Sequence, residues 1–467
     1  MLDALAFQAA LLLPLAAIAI AILAQKSADI RDFFLIVCGS AHFGVCFWLW
    51  FEPAKAATVL GLSADLLDFR FQRSDIKEFL GMAAALAFAA IIAFACIWGR
   101  INRDTHPLRT MIAACLAGFG AQASIWAQSS AAIALGPLSL ALAAALLLAI
   151  RIDNRAILRF AFAVFWASGL GLFSSAILGI APTDAHFALQ PFVFISFAAA
   201  GLAPFCFWLF GLQRATGLAY VVFVAPVIFC LAGAHANAAV FFQAELYDFP
   251  LQEALSWWST ITALVLAILA WLQRHAGARG AFGAMAGLNV ACALIWSGTE
   301  PGLRAGLFLA VSSGLSGAVV AMAAGVITGA TGKTDIDAFG GLARRLPATI
   351  IAWSLGALAL SGLAWAGGLW TLRDLGAAFW PTRSALWLMN AAGLALAGFA
   401  ILAPAWRALV PEDGAPAPPP FRRSHGAPAI AAAITQGLAF IAVILCLITP
   451  LIAGNVALAV QALFEPR

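Results

Sequence analysis

The sequence predicts an all-α polytopic membrane protein with about fourteen transmembrane helices. Composition is the first reason: of 467 residues, 64% are hydrophobic and only 10% are charged. A water-soluble domain of that size could not cover its surface with so few charges. The second reason is the length of the apolar runs. Mean hydropathy is +0.99, and about fourteen stretches reach the roughly 20 apolar residues that a crossing helix requires. The third is their continuity, because barrel strands read as ~10-residue alternating segments and these runs do not alternate.

Taken in order, the apolar spans lie near 5–24, 33–51, 79–98, 110–127, 130–150, 157–180, 188–211, 217–236, 257–272, 280–297, 305–329, 348–370, 385–406 and 428–463. The first has no basic residues ahead of it and reads as an ordinary anchor, not a cleavable leader. Between the second and third, Val59-Leu60-Gly61-Leu62 and Leu67-Asp68-Phe69-Arg70-Phe71 suit a short β-hairpin. The last span is long and holds Pro450, so it kinks or divides in two. Ahead of it, Ala415-Pro416-Ala417-Pro418-Pro419-Pro420 forms a stiff linker, read as a spacer in preference to a partner's docking site.

Charge distribution orients the map. With the N-terminus outside, most of the 25 lysines and arginines fall in odd-numbered loops, among them Arg100, Arg103, Arg151, Arg155, Lys333, Arg344, Arg345, Arg422 and Arg423. The positive-inside rule makes those loops cytoplasmic and both termini external. No Lys, Arg, Asp or Glu falls in the middle of a span, and His42 is the imidazole read within an apolar helix. An intramembrane ionisable residue marks a functional site by default; a lone histidine there is more often a hydrogen-bonded packing residue. The eight cysteines all lie in apolar spans without CxxC or Cys/His spacing, which indicates packing and neither a metal site nor a disulfide framework. There is no Rossmann glycine motif, P-loop, nucleophile elbow or nucleic-acid-binding basic patch. The net charge of +4 needs no anionic partner beyond lipid.

The stretch from Leu303 to Leu375 joins two spans through Gly340-Gly341-Leu342-Ala343-Arg344-Arg345-Leu346-Pro347 and continues to Gly362 and Gly368-Leu369-Trp370. These residues resemble the motif of the antiporter-like subunits of respiratory complex I. The same family includes membrane hydrogenases, multisubunit sodium/proton antiporters and a bicarbonate-uptake pair. Pro204-Phe205-Cys206-Phe207-Trp208-Leu209 resembles a second element in the first half, and Arg70 to Phe79 resembles the family's hairpin leading to the third span. The resemblance implies fourteen helices with two inverted five-helix repeats. It divides the chain into a three-helix segment (1–108), two repeats (109–236 and 237–410), a Pro-rich linker (411–427) and a C-terminal part (428–467).

The resemblance also implies protons moving between buried lysines, a glutamate and histidines, groups whose pKa burial and neighbouring charge can tune. Carried over by position, those roles fall on Gly136 for the glutamate, on Ala199, Gly317 and Leu372 for lysines, and on Cys206 and Ser313 for histidines. None can hold and release a proton near neutral pH as the family's groups would. The expectation is a non-pumping scaffold without cofactor or catalytic site of its own. It would stand beside homologous antiporter-like subunits, in lipid, in a bacterial inner membrane with both termini periplasmic. Such a scaffold would belong to a complex related to NADH:quinone oxidoreductase. Two alternatives stand beside it: an active translocator using water and hydroxyls or a neighbour's gates, coupled to a redox or bicarbonate-uptake partner, and an unrelated transporter or membrane enzyme. The short tail after the last span also predicts that the family's long lateral helix is missing.

Overall fold

The computed structural model describes residues 2–51, 59–64, 67–101, 107–149, 155–177, 201–203, 206, 208–209, 217–243, 250–360, 365–380, 382–410 and 427–464. Among these the chain forms fourteen α-helices and one two-stranded sheet. The helices are α1 (Leu2–Leu23), α2 (Ala28–Phe51), α3 (Asp75–Ile101), α4 (Pro107–Trp126), α5 (Ser130–Ala149), α6 (Arg155–Ile177) and α7 (Gly217–Gln243). Then follow α8 (Pro250–Leu272), α9 (Ala276–Ile295), α10 (Glu300–Thr331), α11 (Pro347–Leu360), α12 (Trp365–Phe379), α13 (Ser384–Leu409) and α14 (Ala427–Phe464). Nine of the described helices are long and apolar enough to cross a membrane. The protein is an all-α polytopic membrane protein, as composition predicts.

The centre of the bundle is α9 and α10, whose apolar windows are wholly buried, while α1 and α2 lie at the rim. Small residues make this packing possible. A methyl group added to Gly306 would sit 2.7 Å from the Ala291 carbonyl oxygen, and one added to Gly317 would sit 3.2 Å from Ala284 Cβ. The hairpin forms as the alternation predicts: β1 (Val59–Ala64) pairs antiparallel with β2 (Leu67–Gln72), with Val59 opposite Gln72.

Several boundaries differ from the sequence reading, three of them informatively. The run 348–370 contains two helices, α11 and α12, and α12 continues to Phe379, with Asp374 tied to Arg304 of α10. The ninth span begins at Pro250, where a proline suits the first helical turn. The final run is one helix of 38 residues with Pro450 inside it, about 57 Å long at 1.5 Å per residue and well beyond a ~30 Å hydrocarbon core. The predicted seventh span, 188–211, lies mostly outside the described residues.

The loop carrying the family-like motif closes one end of the bundle. Thr331 ends α10 and Gly332 caps it at φ 69°. Two 3₁₀ turns follow, Ile336–Phe339 and Leu342–Arg344, and Pro347 opens α11. Ala276 N donates to Thr334 O at 2.9 Å, Ile336 N to Arg274 O at 2.8 Å, and Gly341 N to Val410 O at 3.1 Å. The loop therefore ties the α8–α9 turn to the end of α13. Gly341 makes its turn at φ 67° with open space where a Cβ would lie. Gly341→Ala is therefore expected to cost only backbone strain, about 1–2 kcal/mol. Thermal unfolding in detergent should show a midpoint lowered by a few degrees; a drop like that of a core glycine substitution would contradict the assignment.

Candidate functional site

Gly136 sits in α5 where α4 crosses it. A methyl added there would collide with Ser124 Oγ and lie 2.9 Å from both Cys230 Sγ and the Gly120 carbonyl oxygen. Reciprocally, a methyl on Gly120 would lie 2.8 Å from Gly136 O. Ser124 Oγ and Cys230 Sγ are 3.1 Å apart. The position that the resemblance assigns to a carboxylate is thus occupied by a three-helix contact between α4, α5 and α7. Asn237 of α7 seals the end of α4, its Nδ2 donating to Ser124 O at 2.7 Å and Ile125 O at 3.1 Å.

Ser313 and Gly317 lie on the face of α10 that meets α9. Ser313 is fully buried and its Oγ has no hydrogen-bond partner; it packs 2.5 Å from where a Gly287 Cβ would stand. Gly317 faces Ala284, Ile228 and Val224, an apolar surround. Leu372 is on α12, partly buried against the core. Cys206 is buried in a short turn, with its N–H donating to Leu202 O at 3.0 Å. Ala199, Pro204 and Gly362 lie outside the described residues, and Trp370 is in α12. Among the described residues, Gly136 lies at the α4–α5–α7 contact and Ser313 and Gly317 at the contact of α10 with α9.

Among the described residues two imidazoles lie within helices, one more than the sequence reading named. His42 Nε2 donates to Ala10 O at 2.9 Å, joining α2 to α1. His235, near the end of its apolar run, accepts at Nδ1 from Trp296 Nε1 at 3.0 Å. Its signal in the sequence was its place inside the apolar run, which that reading passed over.

A neutral polar seam crosses α8, α9 and α13. Asn390 Nδ2 donates to Thr260 Oγ1 at 2.9 Å, Thr260 Oγ1 to Ser256 O at 2.7 Å, and Ser256 Oγ to Ala293 O at 3.0 Å. One turn before Ala293, Asn289 Nδ2 donates to Gly201 O at 3.0 Å. The sequence reading missed this seam; its signal is two amides set in apolar helices, where polar side chains bond across helices.

Charged residues of the described helices are confined to their first or last two turns. Most of the buried ones are paired, Arg31 with Asp32 at 2.8 Å, Arg73 with Glu78, and Asp374 with Arg304 at 2.7 Å, whereas buried Arg279 donates to the Ala270 and Trp271 carbonyl oxygens. Among the described residues no group of three or more His, Cys, Asp or Glu side chains could hold a metal ion.

Fold and interior together define a helical membrane protein whose described core is polar in places yet carries charge only at the ends of its helices. No protein-family profile and no curated protein matches the sequence. Solved structures do. A chain of the Mrp complex from Dietzia sp. DQ12-45-1b superposes with a TM-score of 0.79 at 16% identity, covering 100% of this chain and 98% of that one. A chain of respiratory complex I from Thermus thermophilus with bound NADH gives 0.75 at 18%, covering 97% and 98%. A chain of the membrane-bound sulfane sulfur reductase, an archaeal respiratory membrane complex, gives 0.75 at 19%, covering 93% and 75%. The shared fold is that of the antiporter-like subunits suspected from the Gly340–Pro347 motif.

Proposed function

We propose that this chain is a non-translocating, antiporter-like subunit that serves as a structural element of a multisubunit membrane complex related to NADH:quinone oxidoreductase. The observation that carries the reading is the closed contact at Gly136, where Ser124, Cys230 and Gly120 fill the space a proton-carrying side chain would need. A described core that carries charge only at the ends of its helices has nothing at mid-span whose movement could couple to redox energy. Its neighbours in that complex would include homologous subunits arranged in the same membrane, a bacterial inner membrane with both termini periplasmic. The repeats 109–236 and 237–410 would supply the lateral faces.

A second reading draws on the unpartnered Ser313 and Ser316 hydroxyls and the Asn289 and Asn390 amide oxygens. Water bound to them would relay protons without storing any. Reconstitution separates the two. The purified chain in liposomes with a pH-sensitive dye inside should leak protons or sodium no faster than empty liposomes. A sustained, uncoupler-sensitive flux would reject the structural role in favour of the relay.

A further inference from the structure

His275 stands outside the membrane spans, where the α8–α9 turn meets the loop after α10. It is the N-cap of α9: its Nδ1 accepts from Ala278 N at 3.3 Å. A nitrogen that accepts carries no proton, so the neutral ring holds its hydrogen on Nε2. Across an isolated antiparallel bridge the residue opposite His275 is Asp335, fixed there by the Ala276 N to Thr334 O and Ile336 N to Arg274 O bonds. Directly opposite residues on such a bridge are close enough for their side chains to interact. Asp335 Oδ1 is buried and has no hydrogen-bond partner.

We infer that His275 and Asp335 form a proton-binding site that works as a clasp, in which one proton moves a hydrogen bond from the start of α9 to the loop. A proton from solvent adds to Nδ1. The Ala278 N–H then loses its side-chain acceptor, and the imidazolium gains the vacant carboxylate oxygen across the bridge. No other bond is made or broken.

The surrounding charges leave this exchange to the pair. From α7, the Tyr220 ring lies tilted by 31° against the imidazole with centroids 5.6 Å apart, its neutral hydroxyl buried without a partner. From α9, Arg279 gives its guanidinium to Ala270 O and Trp271 O. From α13, Arg407 is bonded to Asp337 of the loop at 2.7 Å. Arg274 adjoins His275 in the turn and is exposed. Burial lowers the His275 pKa below its ordinary 6.5, and the Asp335 charge opposes that shift in part. The positive end of α9 works in the same direction as burial. A base with a lowered folded-state pKa contributes its stability above the unfolded value and loses it as pH falls. The capped state therefore holds at neutral pH and weakens below about 6.5.

The test uses the full-length chain in nanodiscs with ¹⁵N-histidine, His275→Gln serving to assign the signal. His275 should show the Nε2–H tautomer at pH 7.5 and charge only below pH 6.5. Hydrogen exchange at 276–279, corrected for intrinsic rates, should rise about fivefold by pH 5.5, the effect of losing one N-cap, while 332–341, which gains the bond to Asp335, should lose no protection. Asp335→Asn should lower the titration midpoint. His275→Asn, which caps without titrating, should remove the pH dependence. The inference is overturned by a His275 that titrates at or above pH 6.5, by exchange that does not change with pH, or by pH dependence that survives in His275→Asn.

Discussion

Gly136→Glu is expected to destroy the fold of this chain. The new side chain would have to displace Ser124 Oγ and Cys230 Sγ, which are 3.1 Å from each other and already close on Gly136. Overpacking alone costs about 1–3 kcal/mol, and an unpaired buried carboxylate adds several more. The total is about 4 kcal/mol or more, a large fraction of a typical domain's stability. Little monodisperse protein should survive size-exclusion chromatography, and what survives should melt well below the parent. Gly136→Ala isolates the volume effect and should lower the midpoint by the smaller amount. Should Gly136→Glu instead fold at the parental midpoint and conduct protons, the contact would be pliable and the structural role untenable.

How much of this was legible without coordinates differs element by element. Long apolar runs are read by length alone, so α1 to α5 fall within a few residues of their expected places. The hairpin was legible because two short runs, the second alternating apolar and polar as Leu67-Asp68-Phe69-Arg70-Phe71, flank a turn. The end of α12 was not: Arg373 and Asp374 look like a membrane edge in sequence. Only the position of Arg304, on a different helix, shows that Asp374 is an ion-pair partner inside the helix. The closed contact at Gly136 was half legible. The missing carboxylate can be read from the residue, but whether space remained for one depends on Ser124 and Cys230, which come from α4 and α7. The seam from Asn390 was invisible because it runs through carbonyl oxygens of α8 and α9, and backbone groups carry no sequence signal.

Glu78→Ala is expected to be the most damaging single change among the ion pairs, and the reason is burial. The Arg73 and Glu78 side chains are 2% and 1% exposed, and Arg73 also donates to Leu49 O at 2.9 Å, joining the start of α3 to the end of α2. Removing the carboxylate takes away the partner of Arg73 Nε in a nearly dry setting, and breaking such a buried pair costs about 3–5 kcal/mol. Replacing both partners, as in Arg73→Met with Glu78→Leu, removes the charge along with its counter-ion and should recover most of the lost stability. The Arg407–Asp337 pair provides the contrast, because its side chains are 59% and 62% exposed and solvent screens it. Asp337→Asn should cost less than ~1 kcal/mol. Melting midpoints of the four proteins in one detergent test the ordering: Glu78→Ala lowest, the double variant near the parent, Asp337→Asn indistinguishable from it. If Glu78→Ala melts with the parent, water reaches Arg73 in the membrane-embedded protein, and the α2–α3 junction is open where it is drawn here as sealed.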